Sequence, residues 1–377
     1  MIRDPHAIPP DARAVLTIDL AALRENWDML NRASGNAECA GVIKADAYGL
    51  GLEQIARALA DQGCRIFFVA TLTEARLVRQ AHPGATIYVL DGLLPGAAAH
   101  YTGFDLRPCL SSLDEVREWA AWCEATGRRL GAALHLDTGM HRLGLSAGEV
   151  EQLAGAESGL LSRLDLSLVM SHLACADVPG HPMNALQLAR FNALRKRLPE
   201  ALASLANSGG VFLGPDYHFD VVRPGIALYG GRVVEGEPSP MRWVVRLQAR
   251  ILQVRDVRAG EPIGYGASFT ATRDSRVATI ACGYADGFLR ALSSPSGKPG
   301  PVGHIGEQPV PVVGRVSMDL ITVDVTDVAP RGACRGAWVE VLGSRTTIDD
   351  LTDRAGTIGY ELLTRLGRRV HRVYSGA

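Results

Sequence analysis

The chain contains eight short apolar runs, most of them separated by segments of helical period rich in Ala, Leu, Arg and Glu. Strands that alternate with helices pair in parallel, and eight such units are typical of a (β/α)₈ barrel. An open doubly wound sheet is the alternative, but no Gly-x-Gly-x-x-Gly motif opens a helix here. The sequence therefore predicts a TIM-like barrel with strands at 40–44, 65–70, 85–90, 106–110, 131–137, 166–172, 203–207 and 221–226.

The pattern changes near Gly230, where a segment rich in Gly and Pro begins. Beyond it apolar and polar residues alternate with period two, as from Val244 to Arg250, and helical signals are few outside 358–366. This half predicts a mostly β C-terminal domain. An additional early strand, Val15–Asp19, does not fit the eightfold rhythm. We predict a barrel domain at 12–236 and a β domain at 237–377, with Met1–Asp19 a candidate to pack with the β domain.

The amino-acid composition limits which binding partners and which cellular compartment we expect. The 39 basic and 40 acidic side chains give a net charge of −1, which argues against a polyanion such as nucleic acid. The seven cysteines are odd in number and include no Cys-x-x-Cys pair, so disulfides and a thiolate zinc site are not expected. The first residues lack the apolar core of a signal peptide, and no apolar run is long enough to span a membrane. We expect a cytoplasmic protein.

The octet Val42–Gly49 places Lys44 at the end of the first predicted barrel strand. A lysine at the mouth of a buried strand can extend its amine to solvent along its apolar stem. It can also be used chemically, because burial lowers the pKa of an amine and the uncharged form can make a Schiff base with an aldehyde cofactor. The octet alone is compatible with both interpretations.

Other polar residues fall at the ends of later predicted strands, where barrel enzymes place their chemistry. Strand five ends in the run 135–144, strand six at His172, strand seven at Asn207-Ser208, and strand eight carries Arg223. Glycines follow strands seven and eight, where barrels most often bind a phosphate, although glycines also simply make turns. A lysine and a phosphate cradle at one rim together suggest pyridoxal phosphate (PLP).

A metal site is the competing interpretation of this rim. His and Asp side chains at strand ends can bind zinc, and four such residues occur here. No His-x-His motif accompanies them, and the lysine and phosphate signals compete for the same rim, so we predict no metal. The four residues are His135, Asp137, His141 and His172.

Several motifs, in the same order along nearly the whole chain, make the sequence similar to the alanine racemase family. The barrel motifs are the octet around Lys44, 137–144 (Asp-Thr-Gly-Met-His-Arg-Leu-Gly), 206–208 (Ala-Asn-Ser) and 223–226 (Arg-Pro-Gly-Ile). The β-domain motifs are 264–266, 283–287, 315–319 and 358–361. The resemblance implies a PLP-dependent racemase that interconverts L- and D-alanine, supplying D-alanine for peptidoglycan or catabolising it, and acts as a homodimer with shared active sites.

The resemblance also implies a cofactor site. Lys44 would hold PLP through an imine, and Arg223 would face the pyridine nitrogen. A permanently charged arginine cannot accept a proton, so that nitrogen would stay a hydrogen-bond acceptor and the ring a weaker electron sink. The implied cofactor-binding residues are Lys44, Tyr48, His172, Asn207, Ser208, Arg223, Gly225, Ile226 and Tyr360.

Racemisation needs a base on each face of the substrate Cα. The resemblance implies Lys44 for one face and Tyr265 of a second subunit for the other, with His172 between Tyr265 and Arg223. A free tyrosine has a pKa of about 10, so nearby positive charge would have to lower it. Arg142 and the Met318 backbone N–H would hold the carboxylate, since arginine suits two-pronged binding. The implied substrate-binding residues are Arg142, Met318, Tyr284 and Asp319, with Tyr284 and Tyr360 narrowing the entrance.

One departure from the family concerns position 135, where the family commonly has a lysine that is often carbamylated and positions the arginine. His135 cannot form a stable carbamate. A chloride, a water or His135 itself is expected to neutralise and orient Arg142.

Three rival functions stay open: a racemase of broader specificity that includes serine, an amino-acid decarboxylase of the same architecture, and a PLP carrier. The decarboxylase would need a Cys and an acidic residue from the partner, and the carrier would lack residues 238–377.

Overall fold

The computed structural model describes residues 8–376, and these form two compact units. The barrel unit comprises 23–228 and 232–241, and the β unit comprises the described residues up to Ala22, Tyr229–Gly231 and those from Arg242 onward. The part of the predicted N-terminal packing that concerns residues 1–7 lies outside the described residues.

The chain enters through strand β1 (Ala14–Asp19) and helix α1 (Leu20–Ala33). The Asp19 carboxylate accepts the Ala22 N–H at 2.9 Å, so it satisfies a backbone donor at the start of the helix. Leu23, Trp27 and Leu30 recur at helical spacing and are all buried. The period of the apolar residues thus sets the buried face of α1.

The barrel wall is built from short parallel strands. They are β2 (Glu38–Cys39), β3 (Gly41–Val42), β4 (Ile66–Val69), β5 (Thr86–Val89), β6 (Arg107–Leu110), β7 (Gly131–His135), β8 (Asp165–Met170), β9 (Leu202–Ser204) and β10 (Val221–Val222). Strands β3 to β9 pair in sequence order, and β10 pairs with β2, which continues almost directly into β3. The Arg223 N–H reaches the Ala206 oxygen at 2.9 Å and joins β10 to the chain that follows β9. These bonds close the ring.

Helices follow most of the strands, and four of the eight have a side-chain N-cap. They are α2 (Lys44–Gly49), α3 (Leu52–Asp61), α4 (Leu72–Ala81), α5 (Ala98–Gly103), α6 (Leu113–Thr126), α7 (Ala147–Ala154), α8 (Ser158–Arg163) and α9 (Pro182–Arg195). Thr71 and Ser146 each form a capping box with the glutamate three residues on, which satisfies orphan backbone donors. Short 3₁₀ turns replace the helix after β9 and again after β10.

The barrel interior is filled by side chains from alternate positions of the strands. Phe68 and Tyr88 stack within it, with ring centroids 5.0 Å apart and planes 16° from parallel. Inward-facing residues of parallel strands fill such a barrel in layers, so it is a packed core and chemistry is confined to its ends. The interior cluster consists of Ala40, Val42, Ile66, Phe68, Tyr88, Cys109, Ala133, Leu168, Met170 and Val221.

The β unit is mostly strand. Its elements are β11 (Val245–Val257), β12 (Pro262–Ile263), β13 (Phe269–Thr270), β14 (Ser275–Ile280), β15 (Val302–Ile305), β16 (Gln308–Pro311), β17 (Ile321–Asp324), β18 (Trp338–Leu342), α10 (Ile348–Ala355), α11 (Gly359–Thr364) and β19 (His371–Ser375). The main sheet runs β16-β15-β18-β11-β1-β19, and β14 and β17 extend it from β11. Strand β11 alternates buried and part-exposed residues from Val245 to Ile251, as the period-two pattern predicts.

The predicted fold class, a (β/α)₈ barrel followed by a mostly β domain, is confirmed. The early strand β1 pairs antiparallel with β11 and parallel with β19, in the sheet of the β unit. Helix α10 was not anticipated, because its apolar positions are sparse; its capping box from Thr347 to Asp350 was the available signal. Within residues 8–376, no helix has the length and apolarity needed to cross a bilayer.

Candidate active site

Lys44 lies at the start of a left-handed turn. The four residues Ala45–Tyr48 have φ between 52° and 57°, a region that costs roughly 1–2 kcal/mol for each residue with a Cβ. Hydrogen bonds help to hold the turn: the Asp46 N–H donates to Glu74 at 3.2 Å, and the Asp46 carboxylate accepts the Leu52 N–H at 2.8 Å. The element assigned as helix α2 is therefore a strained turn that carries the lysine out of β3.

The amine of Lys44 is half-buried, and burial is the main reason that its pKa is lowered. The positive charge of Arg142 lowers it further, while Asp91 and Glu74 oppose the shift. The uncharged, nucleophilic form is therefore more populated than for an exposed lysine. A lowered pKa suits a Schiff-base lysine, and that role of Lys44 stays a prediction.

Ser208, Gly225 and Tyr48 converge beyond the ends of β9 and β10. The Ser208 hydroxyl accepts the backbone N–H of Gly225 at 2.9 Å and that of Ala227 at 3.3 Å. A Cβ at Gly225 would lie 2.2 Å from the Tyr48 hydroxyl oxygen, so only glycine fits. The Ser208 and Tyr48 hydroxyls thus both lie against the backbone of Gly225, and hydroxyls beside backbone N–H groups are groups that bind anions. Ile226, buried, begins the 3₁₀ turn that contains Ala227.

Asn207 shapes the neighbouring loop. Its amide nitrogen donates to the Leu173 oxygen at 3.3 Å, and its amide oxygen accepts the Gly210 N–H at 3.0 Å. A side chain that uses both ends on the backbone holds the loop in one conformation. Asn207 therefore sets the position of Ser208, one residue on.

Arg223 is buried under this rim. Its guanidinium donates to the Ser204 hydroxyl, to the Ser171 carbonyl, and to the Leu205 carbonyl at 3.4 Å. Burial lowers the pKa of Arg223 to about 10, so the group stays charged at neutral pH. The arginine therefore supplies a fixed positive charge at the end of the barrel.

His172 follows β8 beside this charge. Burial lowers the pKa of its imidazole well below the ordinary value, and the positive charges of Arg223 and Arg142 add to the effect. The ring is therefore neutral at physiological pH and can both donate and accept a hydrogen bond.

Arg142 projects from a turn that is organised by Asp137. One oxygen of the Asp137 carboxylate accepts the N–H groups of residues 139–141 at 2.9–3.1 Å, and the other lies 2.9 Å from His141 Nδ1. Burial opposes ionisation of Asp137, but these hydrogen bonds outweigh it and lower its pKa. Across residues 8–376, the Arg142 side chain is exposed and has neither a hydrogen bond nor an ion pair, so its donors are available to a ligand.

His135 is buried beneath this turn, and its Nδ1 lies 3.3 Å from the Ser111 hydroxyl. Burial, followed by the charges of Arg223 and Arg142, lowers the pKa of His135 to about 4. A neutral imidazole carries no charge that could neutralise Arg142. The expectation that His135 itself neutralises Arg142 is therefore wrong, whereas orientation of Arg142 by His135, and a chloride or a water at this point, stay proposals.

The competing metal interpretation finds no support in the geometry. Asp137 and His141 pair with each other inside the turn rather than facing a common centre with His135. In the part of the chain that the structure describes, no three His, Cys, Asp or Glu side chains are grouped as metal ligands would be.

The β unit carries the remaining predicted residues. Tyr265 lies on a 3₁₀ turn and is 71% exposed. Tyr284 and Met318 lie on adjacent turns, since the Tyr284 N–H donates to the Ser317 oxygen and the next N–H to the Met318 oxygen, both at 3.0 Å. Met318 is 53% exposed. Asp319 is held by Arg369 at 2.7 Å, and Tyr360 stands, part-exposed, at the start of α11.

The predicted residues therefore fall into two groups, one in each unit. Sequence reasoning missed Ala227, Arg369 and Gln187. The last had a usable signal, because Asn184, Gln187 and Phe191 recur at helical spacing on α9 and all three are buried. The barrel group contains Lys44, Tyr48, Arg142, His172, Asn207, Ser208, Arg223, Gly225 and Ile226, and the β group contains Tyr265, Tyr284, Met318, Asp319 and Tyr360.

Comparison with known proteins agrees with this geometry. The sequence model described as "Alanine racemase, N-terminal domain" matches residues 18–233, and that described as "Alanine racemase, C-terminal domain" matches 244–374. An alanine racemase of a Methylobacterium species is 52% identical over 96% of this chain and 97% of that protein. A catabolic alanine racemase of Mesorhizobium japonicum is 48% identical over 97% of this chain and 94% of that protein.

Solved structures give the same result. Alanine racemase from Bartonella henselae, with covalently bound pyridoxal phosphate, superposes with a TM-score of 0.90 at 38% identity, over 96% of this chain and 99% of that one. The biosynthetic enzyme from Pseudomonas aeruginosa gives a TM-score of 0.87 at 34% identity, over 97% and 99%. Matches of this extent cover both units, and the chain therefore belongs to the alanine racemase family.

Proposed function

We propose that this chain interconverts L- and D-alanine with pyridoxal phosphate bound at the C-terminal end of its barrel. The observation that carries the proposal is a lysine of lowered pKa at the same rim as the anion cradle of Ser208 and Gly225. A catalyst of this family needs both parts, because the lysine binds the aldehyde and the cradle binds the phosphate.

The residues present fit the cofactor. Hydroxyls of Tyr48 and Ser208 and the N–H groups of Gly225 and Ile226 would hold the phosphate, beside a glycine whose absent Cβ lets the Tyr48 hydroxyl approach. Tyr360 is proposed as a further phosphate ligand. When bound, pyridoxal phosphate supplies an electron-withdrawing ring that stabilises negative charge at the substrate Cα. Arg223, charged and held by three oxygen acceptors, would donate to the ring nitrogen rather than protonate it.

Arg142 is the proposed anchor of the substrate carboxylate. Its guanidinium fork can bind both carboxylate oxygens, and within the described residues no acidic group competes for it. The backbone N–H of Met318 is proposed to contribute from the β unit, with Asp319 beside it. Tyr284 and Tyr360 are proposed to limit the side chain of the substrate to about the size of a methyl group.

Two bases are proposed to exchange the Cα proton, one on each face. The Lys44 amine, whose pKa is lowered by burial and by Arg142, takes or returns the proton on one face. Tyr265 of a second copy of the chain serves the other face. The neutral ring of His172 can accept a hydrogen bond from the phenol of that tyrosine.

A homodimer in the cytoplasm is part of the proposal. Tyr265 and Met318 are among the most exposed large apolar side chains of the described chain, at 71% and 53%. Exposed tyrosine and methionine side chains are enriched at protein–protein contacts. The arrangement supports a second copy as the neighbour that covers them.

The decisive test combines spectroscopy with a chirality assay. The purified chain, saturated with pyridoxal phosphate, is expected to absorb in the near ultraviolet and visible range and to become covalently labelled at Lys44 after borohydride treatment. L-alanine is expected to lose its optical activity in its presence. A protein that stays colourless and leaves L-alanine unchanged would disprove the proposal.

Tyr265→Phe tests the division of labour between the two bases. Because Tyr265 serves one face, we expect proton removal from L-alanine to slow more than removal from D-alanine, while Lys44 still serves its own face. Deuterium at Cα distinguishes the two steps, because the isotope effect should grow in the direction that starts from L-alanine. Equal isotope effects in both directions would contradict the assignment.

A further inference from the structure

Gln187 is an uncharged polar side chain with no exposed surface, on the inner face of helix α9. Its amide nitrogen donates to the Thr138 hydroxyl at 3.1 Å and to the His172 backbone oxygen at 2.8 Å. Its amide oxygen accepts the Ala174 N–H at 2.8 Å. Both amide hydrogens are therefore used, as burial of such a group requires.

The three partners of Gln187 belong to two loops. Thr138 begins the turn after β7 that projects Arg142, while His172 and Ala174 belong to the loop after β8. Further bonds join the same loops beside Gln187, because the Thr138 and Ser171 hydroxyls lie 2.7 Å apart and Ser171 donates to the Leu136 oxygen at 2.8 Å. One polar network thus connects the two loops.

Arg142 and His172 depend on these loops for their positions. Among the described residues, none forms a hydrogen bond with the imidazole of His172 or with the guanidinium of Arg142. The backbone of each loop must therefore do the positioning. The network also reaches the cofactor side of the site, because Arg223 donates to the Ser171 backbone oxygen.

We propose that Gln187 is a positioning residue that fixes the spacing between Arg142, the carboxylate anchor, and His172, the neutral imidazole of the proton-transfer group. The inference rests on the proposed racemase function. A small displacement of a group that binds or reacts can cost about a hundredfold in rate, so a link between two such loops has a functional consequence beyond stability.

Gln187→Met is the primary test, because it keeps the volume of the side chain and removes all three hydrogen bonds. We expect KM for alanine to rise about tenfold. A tenfold change in binding corresponds to the net free energy of about one or two hydrogen bonds. Acetate, a carboxylate with no amine, should bind the variant holoenzyme about tenfold more weakly by titration of the cofactor absorbance. That absorbance itself should remain, since the variant keeps Lys44.

Asn184→Leu is the matched control. Asn184 is a second buried amide on the same helix, and it donates to the Val178 oxygen at 3.1 Å, near the far end of the loop after β8. It has no hydrogen bond to Thr138, Ser171, His172 or Ala174. It should lower stability to a similar extent and leave KM and acetate binding unchanged. If Gln187→Met matches Asn184→Leu in KM and acetate affinity, Gln187 is structural only and the proposal is overturned.

Two further variants keep the proposal testable if Gln187→Met fails to fold. Thr138→Val removes one hydroxyl of the network at constant shape and should weaken acetate binding in the same direction. Gln187→Glu keeps the acceptor for Ala174 and regains a donor only when protonated, so its activity relative to the wild type should recover as pH falls. Wild-type acetate affinity in Thr138→Val, or a flat pH ratio in Gln187→Glu, would count against the proposal. A wild-type protein that binds acetate but does not racemise alanine would instead refute the proposed function alone.

Discussion

The electrostatics of single residues decide which groups of this site can react. Burial and the charge of Arg142 lower the pKa of Lys44, whereas Asp91 and Glu74 raise it. Arg223 keeps its charge, and His172 and His135 lose theirs. Four basic groups at one rim would repel each other if all were protonated, and lowered pKa values relieve that repulsion.

Asp91→Asn should make Lys44 a stronger nucleophile at low pH. The Asp91 carboxylate raises the pKa of Lys44, so its removal lowers that pKa further. Capture of pyridoxal phosphate by cofactor-stripped protein requires the uncharged amine and slows as pH falls through this pKa. We expect the acid limb of the rate profile to move to lower pH in Asp91→Asn.

The control for Asp91→Asn is Asp105→Asn, which removes an exposed carboxylate paired with Arg79. An acid limb that moves equally in both variants contradicts the prediction.

His135 should make the protein sensitive to mild acid. Its pKa is about 4 in the folded chain against 6.5 ordinarily, so the unfolded chain binds a proton that the folded chain excludes. The stability that depends on this neutral imidazole is complete above pH 6.5 and is lost as pH falls toward 4. The unfolding free energy of the wild type should fall between pH 7 and pH 5. In His135→Asn this fall should be smaller by about 2 kcal/mol.

Urea denaturation of the wild type and of His135→Asn at both pH values measures this difference. Each protein is compared with itself, so any pH-independent cost of the substitution cancels. Identical decreases in the two proteins would show that His135 is not held neutral by the fold.

At the scale of elements, the left-handed turn after β3 is a costly piece of local structure in the barrel unit. Four consecutive residues with positive φ, none of them glycine, oppose the intrinsic preference of the chain. Packing keeps them there, because Ala47 and Tyr48 are buried and Asp46 bonds to both Glu74 and Leu52. The turn places Lys44 and Tyr48 at the same rim, so strain is stored where the chemistry occurs.

Ala45→Gly should be neutral or stabilising by up to about 1 kcal/mol, because glycine adopts φ 55° without a Cβ penalty and this gain offsets its greater freedom when unfolded. The matched control is Ala121→Gly at an exposed position of the right-handed helix α6, which should cost about 1 kcal/mol. Chemical denaturation of both variants measures the two changes. Equal destabilisation would mean that Ala45 is not strained.

At the scale of the whole molecule, the proposed active site requires two copies of the chain. If Tyr265 serves the barrel of a second copy, Lys44→Ala and Tyr265→Ala each destroy both sites of their own homodimer. A mixed dimer would contain one site with neither substitution and one with both. Mixing the two inactive proteins under conditions that exchange subunits should therefore restore about a quarter of wild-type activity. No restoration, with exchange shown by mass spectrometry, would place Tyr265 at its own chain's site or outside the reaction.

Periodicity and strand ends were sufficient to predict much of this molecule. The eight apolar runs predicted the barrel, and the rule that chemistry follows the C-terminal ends of parallel strands directed attention to Lys44, Arg142, Ser208 and Arg223. These features can be predicted from the sequence because they depend on residue type and spacing along the chain. Resemblance to a known family added Tyr265 and Met318, for which spacing alone offers no argument.

The sequence by itself determined the two-unit architecture, the family, and the residue types that meet at the barrel rim. Only the tertiary structure decided that His135 is neutral, that Ala45–Tyr48 turn left-handed, and that Gln187 joins two loops. The physical reason is the separation along the chain of the residues that interact. Apolar period acts between near neighbours in sequence, whereas a buried pKa, a strained φ and a hydrogen bond between residues 49 positions apart exist only once distant segments have packed together.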